Sequence, residues 1–231
     1  MTPALPFRSQ ATSATLVLVV LCCTAMPVAP RPPTGLYVGY SGGHGCRSGW
    51  LLRIGPGGRS ALYVSPYLIR GRVAGGPSGQ ATLLNAESPD GSRYTVTEGA
   101  GGVAASVVIT VRYERGRARR FRVAFRRATG PGSIYSDVRR LRGTGDLVGT
   151  ELALTRAGRQ LVGVLTRFQG EAGRHLAVSG PADGRRPVLS ARGCRAARIV
   201  VTPGLARIGG AELPLRGALS HFMATGRFER R

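Results

Sequence analysis

The chain has 231 residues, and its 33 basic residues outnumber 11 acidic ones to give a formal net charge of +22 at pH 7. Every basic residue is arginine, which excludes phosphate-binding loops that depend on a lysine, and the acidic residues are scattered singly, without the carboxylate pair that glycosidases use. A charge of this size attracts polyanions and opposes self-association at low salt.

The first elements in chain order are an export signal and a lead-in. Residues 1–25 carry Arg8 ahead of an apolar run, Ala14 to Ala25, that has the length of a signal-peptide core and is too short to span a bilayer comfortably. We expect cleavage near Ala25 and a periplasmic or secreted mature protein; retention of the segment as a membrane anchor is the alternative. Residues 26–33 are rich in proline and predict an extended lead-in.

Short alternating runs separated by turn residues fill residues 34–231, which we predict to form a single all-β domain. Predicted strands of the first half are Leu36–Tyr40, Trp50–Ile54, Ala61–Tyr67, Gln80–Ala86, Arg93–Thr97, Val107–Tyr113 and Arg119–Arg127. Those of the second half are Leu147–Thr155, Gln160–Phe168, Leu176–Ser179, Arg198–Thr202 and Phe222–Phe228, with a hairpin over Leu205–Leu215. No amphipathic helix of useful length is expected, because glycine and proline interrupt the windows where one could form.

The fold class follows from the way these strands succeed one another. Hairpin turns such as the one at residues 88–91 join neighbouring strands with few residues between them. Such a succession predicts an antiparallel meander closed as an up-and-down barrel or packed as a two-sheet sandwich. No second apolar run is long enough to form a transmembrane helix in the mature chain.

Ser41 lies in a glycine-rich stretch, V-G-Y-S-G-G-H-G, that contains the G-x-S-x-G pattern of hydrolase nucleophiles. A nucleophile elbow needs a helix after the serine, and Gly42, Gly43 and Gly45 oppose one. The stretch also resembles the nucleophile segment of chymotrypsin-like proteases, but there the histidine and aspartate precede the serine, and Tyr40 replaces the expected Asp. We therefore expect no catalytic residue, and keep a serine hydrolase using Ser41 as the enzyme alternative.

Two cysteines, Cys46 and Cys194, remain after the predicted cleavage, and we expect them to form one disulfide in an oxidising compartment. Together with His44, His175 and His221 they match no metal-ligand spacing, so we expect no metal site and no cofactor.

An arginine-rich segment suggests the binding chemistry. Residues 112–142 hold eleven arginines against Glu114 and Asp137. In the hairpin of Val107–Tyr113 and Arg119–Arg127, the even positions place four arginines on the face opposite the apolar one: Arg112, Arg120, Arg122 and Arg126. Guanidinium groups suit phosphate, sulfate and carboxylate. The sequence thus favours a non-enzymatic protein that binds an acidic glycan or lipid head group.

The sequence disfavours a nucleic-acid partner, because nucleic-acid readers usually add aromatic stacking platforms, and Phe121 and Phe125 point away from the arginines. Two further interpretations stay open. The strand face that carries these four arginines can be a solvated surface that discourages edge-to-edge aggregation. The protein can also be a structural component of the cell envelope that binds no ligand.

Overall fold

The computed structural model describes residues 32–42, 46–75, 80–114, 116–170, 173–183, 186–191 and 198–227. The predicted signal peptide, residues 1–25, lies outside these ranges, as do the first six residues of the lead-in. Within them the chain forms two antiparallel sheets and one short helix.

The first sheet is a nearly closed barrel. Its strands are β1 (Gly35–Ser41), β2 (Ser48–Ile54), β3 (Arg59–Val64), β4 (Tyr67–Arg72), β5 (Ala74–Gly75), β6 (Ala81–Glu87), β7 (Arg93–Glu98), β8 (Val107–Arg112) and β9 (Arg119–Arg127). Strands adjacent in the chain pair with each other except β4 and β5, which form the two edges of the sheet, and β9 returns to pair with β1. At the remaining gap β4 lies close to β6: a Cβ on Gly71 would lie 3.3 Å from the Cα of Leu84.

The second sheet is a closed eight-stranded barrel with one additional short strand. Its strands are β10 (Ser133–Ser136), β11 (Arg139–Arg140), β12 (Leu147–Ala157), β13 (Gln160–Gly170), β14 (Gly173–Pro181), β15 (Val188–Ala191), β16 (Ile199–Thr202), β17 (Leu205–Ile208) and β18 (Ala211–Ala218). Closure occurs at β10, which pairs with β12 on one side and with β18 on the other. The prediction of an all-β antiparallel meander, either closed as a barrel or packed as a two-sheet sandwich, is confirmed in its barrel form.

The buried apolar residues form three clusters, one inside each barrel and one between them. One fills the first barrel around Leu62, Ile109 and Phe125, and another fills the second around Leu152 and Leu165. The third lies between the barrels, where Leu51 and Tyr63 of the first barrel belong to the same buried cluster as Ala153, Val164 and Phe222. Strands β1, β2 and β3 are therefore buried on both faces, which explains their nearly continuous apolar runs.

The barrels are in close contact where β2 meets β13 and β14. The amide N–H of Ala177 donates to the carbonyl of Arg47 at 2.7 Å. A Cβ on Gly49 would lie 3.1 Å from the Cα of Ala177 and 2.9 Å from Cγ2 of Val164. This contact depends on the missing side chain at residue 49, because backbone approaches this close leave no room for one.

The strand predicted over Phe222–Phe228 is wrong, because the chain forms helix α1 (Leu219–Thr225) there. Leu219, Phe222 and Met223 recur at helical spacing and are all buried. The first helical N–H groups find acceptors in the carbonyls of residues 131 and 132, and Gly226 ends the helix in the left-handed conformation with φ of 74°. Partners distant in sequence thus stabilise a helix that is too short to form alone.

One predicted strand also has the wrong bounds. The expected strand Ala61–Tyr67 is two strands, since β3 ends at Val64 and β4 begins at Tyr67 after the turn at Ser65 and Pro66. Proline has no N–H to donate to a sheet, which favours a turn at this point. None of the helices formed by the described residues is both long and apolar enough to cross a membrane.

Candidate anion-binding site

The predicted arginine face exists as a surface of the first barrel. Arg120, Arg122 and Arg126 on β9 are exposed, as is Arg112 at the end of β8. The alternation of β9 produces this arrangement, because Val123 and Phe125 point into the barrel and are 1% and 0% exposed. These four side chains, which we call the arginine face, occupy the side of the hairpin that faces away from the barrel interior.

The strands beside the arginine face offer it no carboxylate in register. Arg120 lies opposite Thr110 and Arg122 opposite Val108 on β8, while Arg126 lies opposite Val38 on β1. From Arg120 to Arg126 the strand rises by about 20 Å. The result is a row of guanidinium groups along one strand with neutral side chains across from each.

Arg112 differs from the other three because its cross-strand neighbour on β7 is another arginine, Arg93. Arg93 is already paired with Glu87, with 3.2 Å between Nε and Oε2. Among the described residues the only other ion pair joins Arg207 to Glu212. The arginine face therefore takes part in neither ion pair formed within the described part of the chain.

Ser41, the alternative nucleophile, lies at the end of β1 with 4% of its surface exposed. Its hydroxyl oxygen accepts a hydrogen bond of 2.8 Å from Nε1 of Trp50, which gives it a structural role at the end of the first barrel. His44 lies outside the described residues. The alternative of a serine hydrolase is tested by neither observation.

Of the two cysteines predicted to form a disulfide, Cys46 lies within the described residues and Cys194 lies outside them. Their pairing therefore stays a prediction. Arg174 donates from Nη2 to Sγ of Cys46 at 3.5 Å. No group of three or more His, Cys, Asp or Glu side chains within the described ranges is arranged to hold a metal ion. His175 lies on β14 beside Thr166, with 3.1 Å between Nδ1 and Oγ1.

The sequence did not predict a cleft of about 900 Å³ between the end of the first barrel and the second barrel. The end of the first barrel supplies six aromatic side chains: Trp50, Tyr63, Tyr67, Tyr94, Tyr113 and Phe121. The second barrel contributes the β11–β12 turn and the start of β14, and three arginines line the cleft: Arg119, Arg140 and Arg174. We call this feature the aromatic cleft.

Electrostatics inside the aromatic cleft disfavour a charge on its buried groups. Burial raises the pKa of Tyr94, and the nearby Asp90, Tyr113 and Tyr67 raise it further. Burial also lowers the pKa of His175 to about 4, so this imidazole is neutral at pH 7. The arginines therefore supply the positive charge of the cleft.

A buried carboxylate lies beside the cleft at the boundary of the two barrels. Glu151 on β12 is 6% exposed, and it accepts hydrogen bonds from the hydroxyl groups of Tyr63 and Ser65. Burial raises the pKa of Glu151 above its ordinary value, although these hydrogen bonds oppose the rise. The interaction joins β3 and the turn after it to the second barrel.

Comparison with protein-family models, with curated proteins and with solved structures finds no match to this chain.

Proposed function

We propose that this protein is an exported, non-enzymatic binding protein that holds an anionic polymer of the envelope or extracellular space on its arginine face. The observation that carries the proposal is the row of Arg120, Arg122 and Arg126, all exposed on one strand and opposite neutral residues. Guanidinium groups spaced in this way repel one another, and an anion relieves that repulsion.

The shape of the surface favours a polymer over a small ion. The row lies on the outside of a barrel, extends for about 20 Å and has no wall that would enclose a small ligand. A chain with regularly spaced sulfate or carboxylate groups can contact several guanidinium groups at once, and each contact adds to affinity. An acidic glycan meets this description, and an anionic lipid surface is the alternative source of the same chemistry.

Export and an oxidised Cys46–Cys194 pair belong to the same proposal. Both rest on the sequence, namely the apolar run before Ala25 and the two cysteines that follow it. An extracellular or periplasmic compartment brings the protein to acidic glycans and keeps it away from the nucleic acids of the cytoplasm.

The test is retention of the mature, unreduced protein on immobilised heparin across a salt gradient. Changing Arg120, Arg122 and Arg126 together to Gln removes three exposed charges, each worth about 0.2 to 1 kcal/mol in a surface ion pair. We expect heparin affinity to fall by between about threefold and about 150-fold at low salt. The matched control changes three exposed arginines on separate elements to Gln: Arg72, Arg159 and Arg198.

The two variants carry the same net charge, so only the location of the change differs between them. A larger loss in the arginine-face variant supports the proposal. An equal loss in both variants refutes it, because the charge then acts without a specific location, and salt-insensitive or absent retention refutes it in favour of a structural protein without a ligand. A second column with immobilised lipopolysaccharide separates a lipid-associated ligand from a soluble glycan.

A further inference from the structure

We propose that the aromatic cleft binds a small amphiphilic anion, with an aromatic or acyl body and one carboxylate, sulfonate or phosphate group. This site is separate from the arginine face, and it would operate whether or not the protein binds a polymer there. The proposal rests on the walls of the cleft, on arginines that take part in no ion pair within the described residues and on the size of the cleft.

The walls suit an apolar body. The rings of Trp50 and Phe121 lie 5.2 Å apart between centroids at a tilt of 51°, and the hydrogen bond from Trp50 to Ser41 holds the indole in place. Tyr113 stands at the edge with 41% of its surface exposed. Tyr67 and Phe121 are also partly exposed, whereas Trp50 is buried behind them at 8% exposure. Exposed rings held in place by packing give a ligand apolar contact area without a large ordering cost.

The arginines suit the anionic group. Arg119 lies over the ring of Tyr113 at 6.0 Å, and Arg174 contacts Sγ of Cys46 at 3.5 Å. Neither takes part in an ion pair within the described part of the chain. Because a guanidinium has five N–H donors, each retains donors for a ligand.

The acidic groups of the cleft leave this positive charge largely in place. Asp90 accepts hydrogen bonds from Oγ of Ser88 and from the backbone N–H of Ser92, so its carboxylate already has partners. The lining contains one other carboxylate, that of Asp146, and three guanidinium groups, those of Arg119, Arg140 and Arg174. The positive groups therefore outnumber the negative ones. Arg140 donates from Nη1 to the carbonyl of Gly145 at 2.7 Å, which fixes its direction and leaves its other donors available.

The size fits one ligand of this kind. A cleft of about 900 Å³ lies within the range of about 300 to 1,000 Å³ that holds drug-sized molecules. Pockets of this type combine apolar walls with a few polar groups that orient the ligand. The chain has one tryptophan, Trp50, which lines the cleft, so energy transfer from Trp50 reports dye that is bound near this site.

The experiment uses anilinonaphthalene sulfonate, an aromatic sulfonate that accepts excitation energy from tryptophan, with the folded wild-type protein at pH 7. We expect saturable binding with energy transfer from Trp50. Arg174→Gln removes one charge-assisted hydrogen bond to the sulfonate and should raise Kd by about tenfold or more. The matched control is Arg159→Gln, an exposed arginine in the β12–β13 turn, which should leave Kd unchanged.

A second variant protects the test against a folding defect, because Tyr113→Ala removes an exposed ring and opens no cavity in a barrel core. We expect this change to weaken binding several-fold with an unchanged thermal unfolding midpoint. Equal Kd values for Arg174→Gln and Arg159→Gln, binding without energy transfer from Trp50, or equally tight binding of an uncharged naphthalene dye would each overturn the proposal. The arginine-face variant should bind the dye like wild type, so failure here and failure of the heparin test are separate results.

Discussion

His175 makes the stability of the protein depend on pH in the acidic range. The imidazole lies where β14 packs against the first barrel, with Nδ1 3.1 Å from the hydroxyl of the fully buried Thr166. Burial lowers the pKa of His175 from 6.5 to about 4. The folded protein therefore holds the neutral ring down to about pH 4, whereas the unfolded chain takes up a proton below about pH 6.5.

The sign and size of the effect follow from this difference. The pKa of His175 is lower in the folded protein than in the unfolded chain, so the unfolded chain takes up a proton first as pH falls. The contribution of the neutral imidazole to stability is therefore present above pH 6.5 and is lost as pH falls from 6.5 to about 4. At about 1.4 kcal/mol for each pKa unit, the full loss is about 3 kcal/mol, and about 2 kcal/mol is lost by pH 5. His175 as a residue is only half-buried, which reduces the expected loss at pH 5 to about 1 to 2 kcal/mol.

The assay compares wild type with His175→Gln, which keeps a hydrogen-bonding side chain opposite Thr166 and removes the titration. Urea unfolding at pH 7.5 and pH 5, at equal ionic strength, gives the free energy of unfolding of each protein. We expect wild type to lose about 1 to 2 kcal/mol more than His175→Gln between the two values. Equal losses in both proteins would refute the reasoning, because another group would then carry the pH dependence.

Two further substitutions test the boundary between the barrels and the core of the first one. Burial raises the pKa of Glu151, so its contribution to stability is present below its ordinary pKa and is lost as pH rises through the raised value. Glu151→Gln, which keeps an acceptor for Tyr63, should therefore lose less stability than wild type between pH 5 and pH 8. A steeper loss in the variant would contradict this. Phe125→Ala empties a fully buried position of the first barrel and should lower the free energy of unfolding by about 3 to 5 kcal/mol, while the exposed Arg126→Ala should change it by no more than about 0.5 kcal/mol. A loss below about 1 kcal/mol for Phe125→Ala would show that the barrel interior is not packed as described.

The location of the arginine face could be predicted from the sequence because the signal is local. Alternation along one strand sets which side chains share a face, and the predicted bounds Arg119–Arg127 coincide with β9. The aromatic cleft could not be predicted in this way. Trp50, Tyr113 and Arg174 come from distant parts of the chain, and Trp50 and Phe121 have the inward alternation of ordinary core residues.

The sequence by itself therefore determined the strand faces, most of the hairpins and the all-β class, since period-two patterning and turn residues act within a few residues. Only the tertiary structure decided that β10 closes the second barrel, that β9 returns to β1, and that Leu219–Thr225 is a helix. It also decided that the outer faces of β1, β2 and β3 are buried against the second barrel. The physical reason is that alternation specifies which face of a strand is apolar but carries no information about which distant surface will cover it.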